Sequence, residues 1–143
     1  MTTVSIGSWA EQRAAAQAIR YAVFVIEQNI PVALEWDELD DLCLHAVAHD
    51  EHGQCLGTGR LTPDGHIGRM AVKKSARGFG VGSAILNALS ATAEQRGDLV
   101  IKLNAQTRAA SFYAHHGFSS VGREFFEAGI PHLTMERVLR EAT

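Results

Sequence analysis

The sequence predicts a single α/β domain whose sheet consists mostly of antiparallel strands. This prediction rests on short apolar runs of strand length, segments with helical spacing and a glycine-rich junction between a strand and a helix. The chain has 143 residues, of which 46% are hydrophobic and 20% are charged. One domain over residues 1–143, with a hydrophobic core of ordinary size, is therefore expected.

The composition argues against several classes of protein. The net charge is −3 and no basic stripe is present, which disfavours broad nucleic-acid binding. No apolar run approaches the roughly 20 residues of a membrane span, and the first residues lack the pattern of a secretion signal. Cys43 and Cys55 are too few for a disulfide framework. A reduced, cytoplasmic location is therefore expected.

The first elements are a strand and a helix. Apolar and polar residues alternate over positions 4–6, which predicts a short strand. Ser8 is placed to cap a helix with Glu11 in its first turn. Because Pro31 disfavours helix in the residue before it, the helix should end near Asn29. The apolar positions with helical spacing are Ala14, Ala15, Ala18, Ile19, Ala22, Val23 and Ile26.

The segment from Glu35 to Asp41 is strongly acidic. Such a run is typical of a solvated loop or short helix, but it can also form an acidic lip that attracts a cationic acceptor. Because salt screens charges beyond about 8–10 Å, such a lip would have to lie at the site itself. The acidic residues are Glu35, Asp37, Glu38, Asp40 and Asp41.

An antiparallel meander follows. His45–His49 and Cys55–Leu61 have the composition of paired strands joined by a turn at residues 51–53. Pro63-Asp64-Gly65 is a strong turn signal. It leads into a third strand, Ile67–Val72, which ends at the glycine-rich junction.

The second half alternates helices and strands. Ser83–Gln95 is predicted to be a helix with an apolar face, ended by Gly97. A short strand, Leu99–Leu103, and a short helix, Ala109–His115 ended by Gly117, should follow. The last elements are two closing strands, Phe118–Phe126 and Leu133–Val138, whose link contains Gly129 and Pro131.

The junction Arg77–Gly82 predicts a phosphate site. Glycines let the backbone approach a ligand closely, and the unpaired amides at the start of a helix attract phosphate oxygens. A Walker loop is excluded because no Lys-Ser or Lys-Thr follows the last glycine. A dinucleotide fingerprint fits poorly, because Ile85 occupies its third glycine position and Asp98 precedes the next strand instead of ending it.

Two motifs resemble a known family. Gly68–Val72 followed by Arg77-x-x-Gly80-x-Gly82 resembles the acetyl-CoA signature of the GNAT superfamily of N-acetyltransferases. Ala110–Phe118 is similar to that family's second landmark, a tyrosine on a short helix followed by Gly-Phe. The two motifs stand in the family's order along the chain.

Two further segments, Arg20–Gln28 and Gly129–His132, are similar to one branch of this superfamily. The resemblance implies a mixed, mostly antiparallel central sheet of about six to seven strands with helices on both faces. It also implies an acetyltransferase that moves the acetyl group from acetyl-CoA to a primary amine by direct attack in a ternary complex.

The resemblance also implies a set of cofactor-binding residues. The loop amides would hold the pyrophosphate, and the pantetheine arm would pair with β-strand backbone at Met70 and Val72. Many members carry Asn where this chain has Gln106, and Asn104 is the nearby substitute. The expected set is Met70, Ala71, Val72, Arg77, Gly78, Phe79, Gly80, Val81, Gly82, Ser83, Asn104, Gln106 and Tyr113.

Tyr113 is the expected acid for the departing thiolate, with a purely core-facing aromatic as the alternative. The general base is left open between three residues. Glu27 is the first candidate because it ends the first helix, His132 is the second and His45 the third. A surface or structural role is the alternative for each of them.

Other functions remain to be distinguished. His45, His49 and His52 would not converge from a strand and a turn, so no metal site is expected. An acyl-CoA sensor without transferase activity is the main alternative function, and a nicotinamide-dependent oxidoreductase is a further one. The acceptor could be a polyamine, a lysine, an aminoglycoside or a protein N-terminus, and the last strands could pair in a homodimer.

Overall fold

The computed structural model describes residues 2–35 and 37–140, so the expected domain over residues 1–143 includes five positions outside it. The described residues form one seven-stranded sheet in the order β1-β2-β3-β4-β5-β7-β6. Every neighbouring pair is antiparallel except β4 and β5. The predicted mixed, mostly antiparallel sheet is confirmed. The strands are β1 (Thr3–Gly7), β2 (Leu44–His49), β3 (Cys55–Leu61), β4 (His66–Val72), β5 (Val100–Gln106), β6 (Ser119–Glu127) and β7 (Ile130–Val138).

Four α-helices accompany the sheet in the described part of the chain. They are α1 (Trp9–Arg20), α2 (Val32–Glu35), α3 (Val81–Arg96) and α4 (Ala110–His115). Helix α1 continues into a π-helical segment, Tyr21–Glu27. Short 3-10 turns span Glu38–Leu42, Lys74–Ala76 and Thr107–Ala109. No helix within residues 2–35 and 37–140 has the length and apolar character to cross a membrane.

Local sequence signals determine where the two long helices start and stop. Ser8 and Glu11 form a reciprocal capping box, with the Ser8 amide 2.9 Å from the Glu11 carboxylate. The π-helical segment ends at Glu27, close to the end near Asn29 that Pro31 predicts, and Asn29 itself has a left-handed φ of 58°. Gly97 ends α3 with a φ of 97°. These sequence predictions are confirmed.

The helices cover both faces of the sheet. Helix α3 buries Ile85 and Leu89 completely in the larger apolar cluster, against which Met70 of β4 also packs. Helix α1 packs Ile19 against Ala71 in a second cluster. Because successive residues of a strand point to opposite faces, Met70 and Ala71 assign these clusters to opposite sides of β4.

The hairpin between β6 and β7 differs from the prediction. Its connection is a tight turn at Ala128 and Gly129, with φ values of 52° and 76°. Two successive positive φ values match the twist of an antiparallel hairpin, so the strands pair right up to the turn. Pro131 lies inside β7 opposite Phe126, and the expectation that it breaks the strand is wrong.

Strands β4 and β5 separate after a short contact. They pair in parallel only at His66 with Lys102 and at Ile67 with Leu103. On its other edge, β4 carries a bulge at Arg69, whose φ is 49°. The carboxyl-terminal halves of β4 and β5 therefore diverge, and the main cavity lies in this opening.

Candidate functional site

A cavity of about 850 Å³ occupies the opening between β4 and β5. A volume of this size suits a small-molecule or cofactor site. Strand β4 contributes Arg69 and Met70, and β5 contributes Asn104 and Gln106. The facing wall comes from the segment between α1 and β2, and its residues are Phe24, Gln28, Ile30, Leu34, Glu35, Asp37, Leu39 and Leu42.

The glycine loop presents its backbone to solvent. Gly78 and Gly80 have φ values of 85° and 82°, and a Cβ on either would meet no atom within 4 Å. Gly80 is the N-cap of α3 and no side chain caps this helix, so the amides of the first turn have no helical acceptor. Phe79 is 79% exposed. These features suit the predicted binding of a pyrophosphate at the start of α3.

Gly82 also has a packing role that the sequence did not indicate. A Cβ at this position would lie 3.3 Å from Cζ of Phe112. The absence of a side chain therefore lets α4 approach α3 closely. Tyr113 follows Phe112 in α4, so the same glycine helps to position both predicted cofactor motifs.

Arg77 and Glu27 form a bidentate ion pair. Both Nη atoms of Arg77 lie 2.6 Å from carboxylate oxygens of Glu27, and Nε donates to the Val72 carbonyl at 3.1 Å. The hydrogen bonds from Arg77 lower the pKa of Glu27. Glu27 does not line the main cavity but a smaller one of about 360 Å³, which it shares with Gln28, Arg108, Ile130 and Pro131.

Tyr113 lies on the wall of the main cavity. Its ring packs edge-on against Phe112 at 5.0 Å and Phe118 at 6.1 Å, measured between ring centroids. Burial raises the pKa of its phenol to about 12, so the hydroxyl stays protonated throughout the neutral range. The aromatic body is thus part of the core, as the alternative predicted, while the residue also faces the cavity.

His132 lines the same cavity and is 6% exposed. Its Nδ1 lies 2.7 Å from the carbonyl oxygen of Ile130, an acceptor that only an N–H can satisfy. In the neutral ring this leaves the lone pair on Nε2, which lies 3.6 Å from a carboxylate oxygen of Glu127. The ring stacks on Phe125.

The two amides of β5 are hydrogen-bonded to their surroundings. Asn104 accepts a hydrogen bond from the hydroxyl of Thr134 at 2.9 Å. Gln106 donates to the side chain of Gln28 at 3.0 Å and accepts from Nε of Arg108 at 3.0 Å. Both side chains line the cavity, and these hydrogen bonds define their orientation there.

Three of the acidic residues between α1 and β2 are paired with arginines. Asp40 receives hydrogen bonds from Arg20 at 2.9 Å and Arg60 at 3.0 Å. Asp37 binds both Arg60, at 2.7 Å, and Arg69, at 3.0 Å. We refer to these residues as the arginine–carboxylate cluster, which comprises Arg20, Glu35, Asp37, Asp40, Arg60 and Arg69.

This cluster corrects the expectation for the acidic segment. Glu35 and Asp40 are only 2% and 3% exposed, so they belong to neither a solvated loop nor an acidic lip. Three arginines balance the three carboxylates, which cancels the negative field predicted from the run. Glu38 and Asp41 are exposed, as a solvated segment predicts.

His45 supports the cluster from outside the cavity. It is 1% exposed, its Nε2 lies 2.9 Å from the Asp40 carbonyl oxygen, and its ring packs on Trp9. Burial lowers its pKa. It does not line the main cavity, so its position does not suit a general base. Within the described residues, no three His, Cys, Asp or Glu side chains are arranged to hold a metal ion.

Comparison with known proteins agrees with the motifs. Residues 11–139 match the family model of the acetyltransferase (GNAT) domain. The chain is 43% identical over 129 residues to the uncharacterized N-acetyltransferase YjcF of Bacillus subtilis, covering 87% of this chain and 91% of YjcF.

Solved structures show the same fold. An acyl-CoA N-acyltransferase from Pseudomonas aeruginosa superposes with a TM-score of 0.85 and 30% identity, covering 96% of this chain and 100% of the other. Escherichia coli ElaA gives a TM-score of 0.82 and 28% identity, covering 96% and 99% of the two chains. The opening between β4 and β5, the glycine loop and these likenesses agree, and the chain belongs to the GNAT family of acetyltransferases.

Proposed function

We propose that this protein transfers the acetyl group of acetyl-CoA to a primary amine by direct attack in a ternary complex. The observation that carries the proposal is the cavity in the opening between β4 and β5, which has Tyr113 on its wall. The helix that follows β4 begins with amides that no side chain caps. The amides supply a site for the pyrophosphate, and the opening supplies a site for the pantetheine arm.

The donor would extend from the glycine loop into the opening. Backbone groups of Met70, Ala71 and Val72 that face β5 have no partner strand there, so an extended arm can pair with them. The Val72 carbonyl already accepts a hydrogen bond from Arg77. Arg77 would therefore hold the loop in place through Val72 and Glu27. The backbone amides of residues 78–83 would be the main hydrogen-bond donors to the phosphates.

The bulge in β4 suggests a backbone amide that could stabilise the negative charge on the thioester oxygen. At a bulge, a residue's amide leaves the regular ladder and can point at a ligand. We assign the amide of Met70, next to the left-handed Arg69, to the oxygen of the thioester. One such donor typically contributes about 3–4 kcal/mol of transition-state stabilisation.

The reaction moves one proton from the amine to a base and leaves a negative charge on the sulfur of CoA. The amine nitrogen attacks the thioester carbon and loses a proton to a base, and the carbon–sulfur bond breaks to release the CoA thiolate. Tyr113 would donate a hydrogen bond to that sulfur. The pKa of Tyr113, about 12, lies above the ~8.5 of a thiol, so transfer of the phenol proton to the thiolate is unfavourable. Tyr113 would therefore stabilise the thiolate by the hydrogen bond and keep its proton.

His132 is the base that the geometry favours. Glu27 is engaged by Arg77 and its pKa is lowered, both of which make it a weaker base. The Nε2 lone pair of His132 has no such competition, and the nearby carboxylate of Glu127 would stabilise the imidazolium after proton uptake.

Thiol release with a panel of primary amines tests the proposal. We expect CoA thiol and N-acetylated product to appear in equal amounts, measured by a thiol reagent and by mass spectrometry. Tight acetyl-CoA binding without thiol release from any amine would overturn the transferase proposal and support an acyl-CoA sensor.

A further inference from the structure

The acceptor side of the cavity contains guanidinium groups with unused hydrogen-bond donors. Arg60 and Arg69 line the cavity together with Glu35 and Asp37. What these residues imply about the amine substrate rests on the proposed transferase function.

The carboxylates of the arginine–carboxylate cluster are already hydrogen-bonded to arginines. Both oxygens of Asp37 receive hydrogen bonds from Arg60, one also from Arg69 and the other from the Leu39 amide. Arg20 donates one hydrogen bond to each carboxylate oxygen of Glu35. Every carboxylate oxygen of Asp37 and Glu35 therefore already accepts a hydrogen bond from an arginine.

Arg69 and Arg60, in contrast, each have an N–H group that no described residue binds. Arg69 uses Nε on the Glu35 carbonyl and Nη2 on Asp37, and its Nη1 has no partner among the described residues. Its side chain is 27% exposed and lines the cavity. Nε of Arg60 is buried and also lacks a partner in the described part of the chain. Arg69 and Arg60 thus each keep one hydrogen-bond donor that no described residue uses.

The charge of Arg69 is the least compensated of the three. Burial lowers the pKa of its guanidinium, and the positive charge of Arg60 lowers it further. Burial also opposes the charges of Arg20 and Arg60, but the hydrogen bonds that Arg20 donates to Asp40 and that Arg60 donates to Asp37 outweigh it and raise the pKa values of both arginines. An anion arriving at Arg69 would supply the missing compensation.

The wall beside Arg69 is apolar and open. Leu34, Leu39 and Leu42 line the cavity and are 58%, 46% and 65% exposed. A hydrocarbon chain on the ligand would cover these side chains, which is favourable. The same cavity contains His132, the candidate base, on a different strand.

We propose that the acceptor is an aminocarboxylate, whose carboxylate binds Arg69 and whose apolar body lies against these leucines while its amine reaches the base. The acceptor therefore carries an anion as well as an amine. This reverses the sign expected from the acidic run, because the arginines neutralise that run and leave guanidinium donors facing the cavity.

Matched acceptors test the proposal. β-Alanine, γ-aminobutyrate and ε-aminocaproate are each compared with the alkylamine of the same chain length. We expect the best aminocarboxylate to exceed its alkylamine by roughly tenfold to a hundredfold in kcat/KM, the usual effect of a charge-assisted hydrogen bond. Arg69→Gln should abolish this ratio and Arg69→Lys should retain part of it. Arg13→Gln, an exposed position on α1, is the matched control.

A binding experiment tests the carboxylate site at Arg69 without measuring catalysis. Hexanoate and hexanamide are added to the wild-type protein with saturating CoA, and thermal unfolding is followed. Hexanoate should raise the midpoint and hexanamide should not, and Arg69→Gln should remove the difference. If Arg69→Gln does not fold, the wild-type comparison still decides.

The outcomes separate the two proposals. Alkylamines that equal the aminocarboxylates, together with no preference for hexanoate, would overturn the aminocarboxylate proposal while the transferase stands. Hexanoate binding that depends on Arg69, without acetylation of any amine, would support the anion site and overturn the transferase.

Discussion

The guanidinium of Arg77 contacts both carboxylate oxygens of Glu27 at 2.6 Å, which joins the end of the first helix to the glycine loop. We expect Glu27→Gln to weaken acetyl-CoA binding by less than about tenfold, because the pair positions the loop but does not contact the ligand. The pair is partly exposed, so the free energy of unfolding should change by no more than about 1 kcal/mol. Calorimetric titration and urea unfolding measure both quantities.

Glu94→Gln, on the exposed face of α3, is the control for this substitution. Loss of turnover in Glu27→Gln at unchanged acetyl-CoA affinity would instead identify Glu27 as the base.

Tyr113→Phe removes the hydroxyl and keeps the ring that packs against Phe112 and Phe118. We expect kcat to fall by roughly 10²–10³-fold, the usual effect of removing one hydrogen-bond donor from charge that develops in the transition state, with little change in acetyl-CoA affinity. Steady-state kinetics and direct titration separate the two. Tyr21→Phe is the control, since Tyr21 is 45% exposed. Equal turnover of Tyr113→Phe and the wild type would remove Tyr113 from the mechanism.

His132→Gln keeps a hydrogen-bonding side chain and removes the titrating ring. If His132 is the base, kcat/KM of the wild type should decline on acidification, because a protonated imidazole cannot accept the proton of the amine. The variant should lose most of its activity together with this decline. His115→Gln, at an exposed position, should behave as the wild type. A pH profile unchanged in shape in His132→Gln would show that another group is the base.

Asp40→Asn and Asp41→Asn form a matched pair of neighbours. Asp40 is buried between two arginines, whereas Asp41 is exposed. Removing one partner of a buried ion pair leaves an uncompensated charge, so we expect Asp40→Asn to lower the free energy of unfolding by about 3–5 kcal/mol. Asp41→Asn should change it by less than about 0.5 kcal/mol. Similar urea midpoints for the two variants would contradict the buried network.

His45 should make stability dependent on pH. Burial lowers its pKa below the ordinary 6.5, so the unfolded chain binds the proton more readily than the folded protein does. Stability is therefore full above about pH 7 and falls as the pH decreases through 6.5 toward the folded value, by at most about 1.4 kcal/mol per pH unit.

The variant for this prediction is His45→Gln, which should flatten the dependence between about pH 7 and 5 in urea titrations. The carboxylate of Asp37 does not interfere, because its pKa is lowered and it titrates at more acidic pH. Burial opposes ionisation of Asp37, but hydrogen bonds from Arg60 outweigh it. An equally steep pH dependence in the variant would exclude His45 as its source.

Short-range signals account for most of what the sequence predicted. The capping box of Ser8 and Glu11, the end of α3 at Gly97 and the exposed glycine loop each depend on residues a few positions apart. The family resemblance added the order of the elements and the sheet of mostly antiparallel strands.

Long-range ion pairing accounts for what the sequence could not predict. Asp37 binds Arg60 and Arg69, which are 23 and 32 residues away. A run of acidic residues carries no information about such partners, so by itself it indicates only a solvated segment or a lip. The available signal for this pairing was Arg60, the one charged residue of β3. A buried charge requires a partner, so its position in a strand of mostly small, uncharged residues indicated an ion pair.

The brief contact between β4 and β5 divides the sheet into two parts, β1–β4 and β5–β7, that are joined at only two paired positions. They are His66 with Lys102 and Ile67 with Leu103. These positions lie at the closed end of the opening, so a ligand in the opening would contact both parts of the sheet. Such a ligand binds the folded protein and not the unfolded chain, and the protein should then unfold at a temperature that rises with ligand concentration.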